Sequence, residues 1–329
     1  MHMADALLSP SVGLVMCAAS AGAVAWSVSK IKKEGLCDQK IPLMAVTGAF
    51  VFAAQMINFT IPATGSSGHI GGGVLLAAML GGAPALLSIA AVLMIQALFF
   101  ADGGLLALGA NIFNMGVIPC LFVYPLLFAP IVRRGLTKKN IMVASMLSVV
   151  VGLQLGAFAV VLETLASGIT ALPFSTFALL MQPIHAAIGV VEGLVTASIL
   201  SFVAQARPEI LECGKLSSDV SAVSFKKVLV ALVAATAITG GALSLFASAY
   251  PDGLEWAMEK TAGAAALETS GPVFAAASAV QAKTALMPDY AYAGTERGTS
   301  AAGLIGSALT FAAAGGAGWL ISKNRQRRA

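Results

Sequence analysis

The sequence is poor in charge. Only 10% of its 329 residues are Asp, Glu, Lys or Arg, while 58% are hydrophobic. Soluble domains carry about 25% charged residues, so an ordinary soluble domain is excluded. A cysteine framework is also lacking. Cys17, Cys37, Cys120 and Cys213 are irregularly spaced and form no C-x-x-C pair, so free thiols are expected. No G-x-x-x-x-G-K-[ST] string occurs, so the chain has no P-loop of its own, and no H-E-x-x-H supports a metalloprotease. The opening MHMADALLSP places no Lys or Arg ahead of its apolar run, and no secretory signal peptide is read there. The net charge of +4 does not indicate nucleic acid, because the basic residues sit in short loops between apolar runs. That pattern is a membrane-orientation signal.

Apolar runs of roughly 20 residues, the length that crosses a bilayer as helix, recur along the chain. They predict an all-α polytopic membrane protein with spans near residues 7–29, 41–60, 70–81, 84–101, 106–132, 140–166, 172–205, 226–249 and 299–322. The third is about 18 Å of helix, too short to span alone. The loop before it is therefore expected to dip to membrane depth, where it must be covered by protein. Sixteen of the 19 basic residues fall in four groups: Lys30 to Lys40, Arg133 to Lys139, Arg207 to Lys227, and Lys323 to Arg328. Nine spans with the N-terminus outside put all four groups on one face, which the positive-inside rule makes cytoplasmic. Three parts follow: a seven-helix unit over 1–207, a cytoplasmic linker at 208–224, and a two-helix unit over 225–329 with an extracytoplasmic segment at 250–298. In the second span Ala45, Ala49 and Ala53 form a small-residue stripe for close helix approach, to this chain or a partner.

The chemistry is concentrated in few residues. Met1-His2 offers a terminal amine, the His2 backbone amide and the His2 imidazole in succession, which close small chelate rings on one ion. A deprotonated amide favours square-planar Ni(II) or Cu(II). His69 lies in GSSGHIGGG on the same expected face and would add a fourth nitrogen. His185 and Glu192 share a helix face and are read first as a buried structural pair, with a direct metal role or a place behind the ligands as the alternative. Asn58, Asn111 and Asn114, like Gln55, recur near the outer halves of spans, where they would hold ligand imidazoles or hydrogen-bond between helices.

MHMADALLSP, QMINFTIPATGSSGHIGGG, FFADGGLLALGANIFNMG and HAAIGVVEGLVT, in that order over residues 1 to about 205, resemble the substrate-binding membrane component of nickel/cobalt energy-coupling factor (ECF) transporters. Pro251-Asp252-Gly253-Leu254-Glu255 resembles the companion small subunit, the PDGLE domain. The resemblance implies a metal held by the Met1 amine, the His2 amide and imidazole, and His69. It implies three partners in a bacterial cytoplasmic membrane: a membrane coupling subunit and two cytoplasmic ATPases. It makes nickel, or alternatively cobalt, the substrate, with no organic cofactor. A self-sufficient metal channel or permease is the competing class, and an intramembrane enzyme using His185 and Glu192 is a third.

Overall fold

The computed structural model describes residues 2–170, 172–212, 223–264, 267, 269–291 and 297–326. Met1, most of the expected linker, Cys213, Glu268, Glu296 and the last basic residues lie outside them. The architecture is the expected all-α one. In chain order it comprises α1 (Pro10–Glu34), α2 (Lys40–Gln55), a hairpin of β1 (Phe59–Ile61) and β2 (Ser66–Gly68), α3 (Gly73–Leu80), α4 (Gly82–Phe99), α5 (Leu108–Val132), α6 (Lys138–Ser167) and α7 (Phe174–Ala206). The second unit adds α8 (Phe225–Gly241), α9 (Gly253–Ala262), α10 (Pro272–Thr284) and α11 (Arg297–Gln326). Among the described residues seven helices are long and apolar enough to cross a membrane, and α2 is a shorter apolar helix.

Two expected spans are corrected. The segment 41–60 is helical only to Gln55; Phe59-Thr60-Ile61, aromatic and β-branched, pairs antiparallel with Ser66–Gly68 instead. The third segment is helical over eight residues, because Gly72 (φ +78°) and Gly81 (φ +86°) end it on both sides. The descending loop compensates for that short length. A Cβ on Gly72 would lie 2.5 Å from Val51 of α2, and one on Gly73 2.5 Å from Pro119 of α5, so the loop runs inside the bundle. At the far end of α3, Lys40 Nζ donates to the Leu80 carbonyl at 2.7 Å and to Glu212 Oε2 at 2.5 Å. Lys30, Lys40, Arg133 and Glu212 line one pocket, so the first two basic groups border the same end of the molecule. Within α5 the stretch Phe113–Phe128 winds as a π helix around Pro119 and Pro125, whose missing N–H groups would break an α ladder.

The small-residue stripe of α2 faces this chain's own second unit. Ala45 abuts Gly315 of α11 and Ala53 abuts Gly240 of α8, while Phe52 fills the space left by Gly306. In lipid such contacts hold by dispersion and close fit, since burial from water contributes little. At the α8–α11 crossing a Cβ on Gly303 would overlap the Gly240 backbone carbonyl. Gly303→Val should therefore cost about 1–3 kcal/mol in overpacking, read as a lower Tm in detergent. Gly22→Val, with nothing within 4 Å of its Cβ, should leave Tm unchanged.

Candidate metal centre

The first residues are threaded into the bundle. Met3, Leu7 and Leu8 are fully buried. Asn111 of α5 grips the backbone at Met3 from both sides: the Met3 N–H donates to Asn111 Oδ1 at 2.8 Å, and Asn111 Nδ2 donates to the Met3 carbonyl at 3.2 Å. The Gly104 N–H donates to the same carbonyl at 2.9 Å. Asp5 Oδ1 accepts from the Leu106 and Ala107 N–H groups at 2.8 and 3.0 Å, capping the turn that leads into α5. Asn114, one turn along α5, donates to Glu163 Oε2 of α6 at 2.9 Å and lies 3.9 Å from Met3 Sδ. Both asparagines thus hold the N-terminal segment, and among the described residues neither hydrogen-bonds an imidazole.

His2 and His69 meet in this frame. Their rings stack with centroids 5.1 Å apart and planes inclined by 21°. Two imidazoles bound at right angles to one ion, with metal–nitrogen bonds of about 2 Å, have a comparable separation. The tautomer of His2 follows from its neighbours. The Gly71 carbonyl only accepts, so Gln55 Nε2 donates to it at 2.8 Å. Gln96 Nε2 then donates to Gln55 Oε1 at 2.8 Å, which turns Gln96 Oε1 toward His2 Nε2 at 3.0 Å. Nε2 therefore carries the hydrogen and Nδ1 the lone pair. Nδ1 is also the ring nitrogen that closes a six-membered chelate with the His2 backbone nitrogen. It faces Asp102 Oδ1 at 3.3 Å. In His69, Nδ1 lies 3.0 Å from the Ile70 carbonyl, so Nδ1 is the donor and Nε2 carries the ring lone pair. Burial holds the pKa of both imidazoles below the usual histidine value, keeping them neutral as metal binding requires.

The His69 loop is fixed from behind. Glu192 accepts from the Gly71 and Gly72 N–H groups at 2.7 and 2.8 Å. His185 is not its partner: His185 Nδ1 bonds instead to the Met181 carbonyl at 2.8 Å. The expected structural pair is thus corrected, because the two bare N–H groups of the glycine loop claim the carboxylate. Asn58 follows the end of α2, and its backbone carbonyl accepts from the Ser248 N–H of the second unit at 2.7 Å.

Within the segment 250–298, Tyr250 to Trp256 and Tyr290 lie over this centre. Ser67 donates through its N–H to the Pro251 carbonyl at 2.8 Å and through Oγ to the Tyr250 carbonyl at 2.7 Å. Trp256 Nε1 donates to the Thr64 carbonyl at 3.0 Å. Asp252 caps α9 by accepting from Leu254 and Glu255, and with His69 and His185 it lines a small cavity. Tyr290 stacks on Phe100 at 5.0 Å and donates its hydroxyl to Asp102 Oδ2 at 2.5 Å. Gln96 and Tyr290 were not singled out in the sequence, and Asp102 and Asp252 stood there only within the strings that carry the family resemblance. Among the described residues no three His, Cys, Asp or Glu side chains are grouped to hold an ion unaided, which fits a site that uses backbone nitrogen.

Residues 2–210 match the CbiM family, described as the cobalt uptake substrate-specific transmembrane region, and residues 226–323 match the PDGLE domain. The chain is 30% identical to the putative fused nickel transport protein NikMN of Archaeoglobus fulgidus, over 95% of this chain and 96% of that one. It is 32% identical to the fused nickel transport protein NikMN of Rhodobacter capsulatus, over 64% of each. A crystal structure of a truncated transition metal transporter superposes with a TM-score of 0.54 at 29% identity, covering 62% of this chain and 98% of that one. The chain therefore belongs to the CbiM family of metal transport proteins, with a PDGLE domain fused behind the family's transmembrane region.

Proposed function

We propose that this protein is the substrate-capture subunit of an ATP-driven ECF-type importer, and that its substrate is nickel. The observation that carries the reading is the convergence of His2 Nδ1, Asp102 and His69 where the N-terminal segment is pinned. The ion takes four nitrogens: the Met1 amine, the deprotonated His2 amide, His2 Nδ1 and His69 Nε2. A nitrogen set containing an amide anion demands a planar field and favours Ni(II) over hard, oxygen-seeking ions. Gln96 acts behind it, holding the His2 Nε2–H so that Nδ1 faces the ion. The putative fused nickel transport relative that aligns over 95% of the chain supports nickel over cobalt.

The four basic groups belong on the cytoplasmic face, with the site at the opposite, extracytoplasmic end. The chain carries no P-loop, so ATP hydrolysis belongs to two cytoplasmic ATPases acting through a membrane coupling subunit. Liposomes containing this chain alone should accordingly show no sustained nickel flux. Rapid flux in that assay would instead identify a self-sufficient permease.

Two further outcomes are expected from calorimetric titration with nickel. One residue added ahead of Met1, or His69→Ala, removes or displaces a direct nitrogen ligand and should lower affinity by more than about a hundredfold. Unchanged affinity in either would refute the site. Gln96→Leu leaves every ligand in place but frees the His2 ring, and should cost about 10–100-fold.

A further inference from the structure

One buried group has no role in that site. His185 is 1% exposed. Its Nδ1 lies 2.8 Å from the Met181 carbonyl, one turn back on α7. A carbonyl only accepts, so Nδ1 carries the hydrogen and Nε2 the lone pair. Nε2 has no hydrogen-bond partner among the described residues. A buried acceptor without a protein partner is costly and needs a physical account.

The outer edge of the ring faces the second unit: a Cβ on Gly253 would lie 3.2 Å from His185 Cε1. There a cavity of about 10 Å³ is lined by His69, His185 and Asp252, with Gly68 and Gly253 closing its walls. That space suits a single water-sized species. The three side chains come from three separate elements, namely the glycine loop, α7 and the cap of α9. An imidazole nitrogen with a carboxylate oxygen is a donor set for borderline divalent transition metals. Among the described residues no three His, Cys, Asp or Glu side chains are grouped to hold an ion by themselves, so this is no storage site and an ion here would only pass through.

We infer that this cavity is a second, transient cation position, ligated by His185 Nε2 and Asp252, through which the metal passes to and from His2 and His69. The inference rests on the proposed reading of those two histidines as the principal site. A stopping point on the path lowers the barrier in both directions and leaves the end-state affinity unchanged.

Stopped-flow kinetics of nickel binding to the full chain with its native N-terminus, alongside equilibrium titration, tests this. His185→Gln removes the imidazole lone pair. It should slow association and dissociation equally, by about tenfold, with Kd unchanged. Asp252→Asn keeps the helix cap and should do the same; it carries the test if His185→Gln fails to fold. Unchanged rates in both variants would mean that His185 faces a trapped water only and would overturn the inference. A weaker Kd arising from faster dissociation alone would also overturn it, by making His185 a support of the principal site. Failure of the wild-type chain to bind nickel at all would instead sink the parent reading.

Discussion

The backbone ligand proposed at His2 cannot be aimed by choosing a rotamer. The chain itself must be fixed, and here Asn111 fixes it. Its side-chain amide occupies both the N–H and the carbonyl of Met3, so the segment cannot slide or rotate without breaking two buried hydrogen bonds. Asp5 and Gly104 reinforce the hold, and Leu7 and Leu8 anchor it by full burial. The position of His2 is set by this grip, and with it every distance to Gln96, Asp102 and His69.

From that anchor a line of amides crosses the site. His2 leans on Gln96, Gln96 on Gln55, Gln55 on the Gly71 carbonyl, and the Gly71 N–H on Glu192. The two histidines are therefore positioned by one connected network in which each amide has a defined direction. The second unit closes the same site through backbone carbonyls at Tyr250 and Pro251 and through the Tyr290 hydroxyl. Its helices are meanwhile docked on the alanine face of α2.

Much of this was legible in the sequence. Hydropathy and the basic groups gave the helical fold, and His2 and His69 stood out because the chain holds only three histidines. Asn111 and Asn114 were recognisable as amides on one helix face, although their work is to hold Met3 and Glu163 rather than an imidazole. Gln96 was not recognisable. A lone amide in an apolar run is common, and its meaning depends on a contact to a residue 94 positions away. The segment after Asn58 misled because its apolar FTI reads as helix until strand pairing with Ser66–Gly68 is known. His185 and Glu192 misled because helical spacing records a shared face but not the glycine N–H groups that approach it.

The fusion of the two units has a consequence in solution thermodynamics. The segment that covers the site belongs to the same polypeptide, joined between α7 and α8 by a stretch of fewer than 20 residues. A cover made as a separate chain would return to the site at a rate set by its abundance in the membrane. A tethered one returns at an effective concentration on the order of millimolar, whatever the expression level. One cover per site, always within reach, is thereby written into the chain.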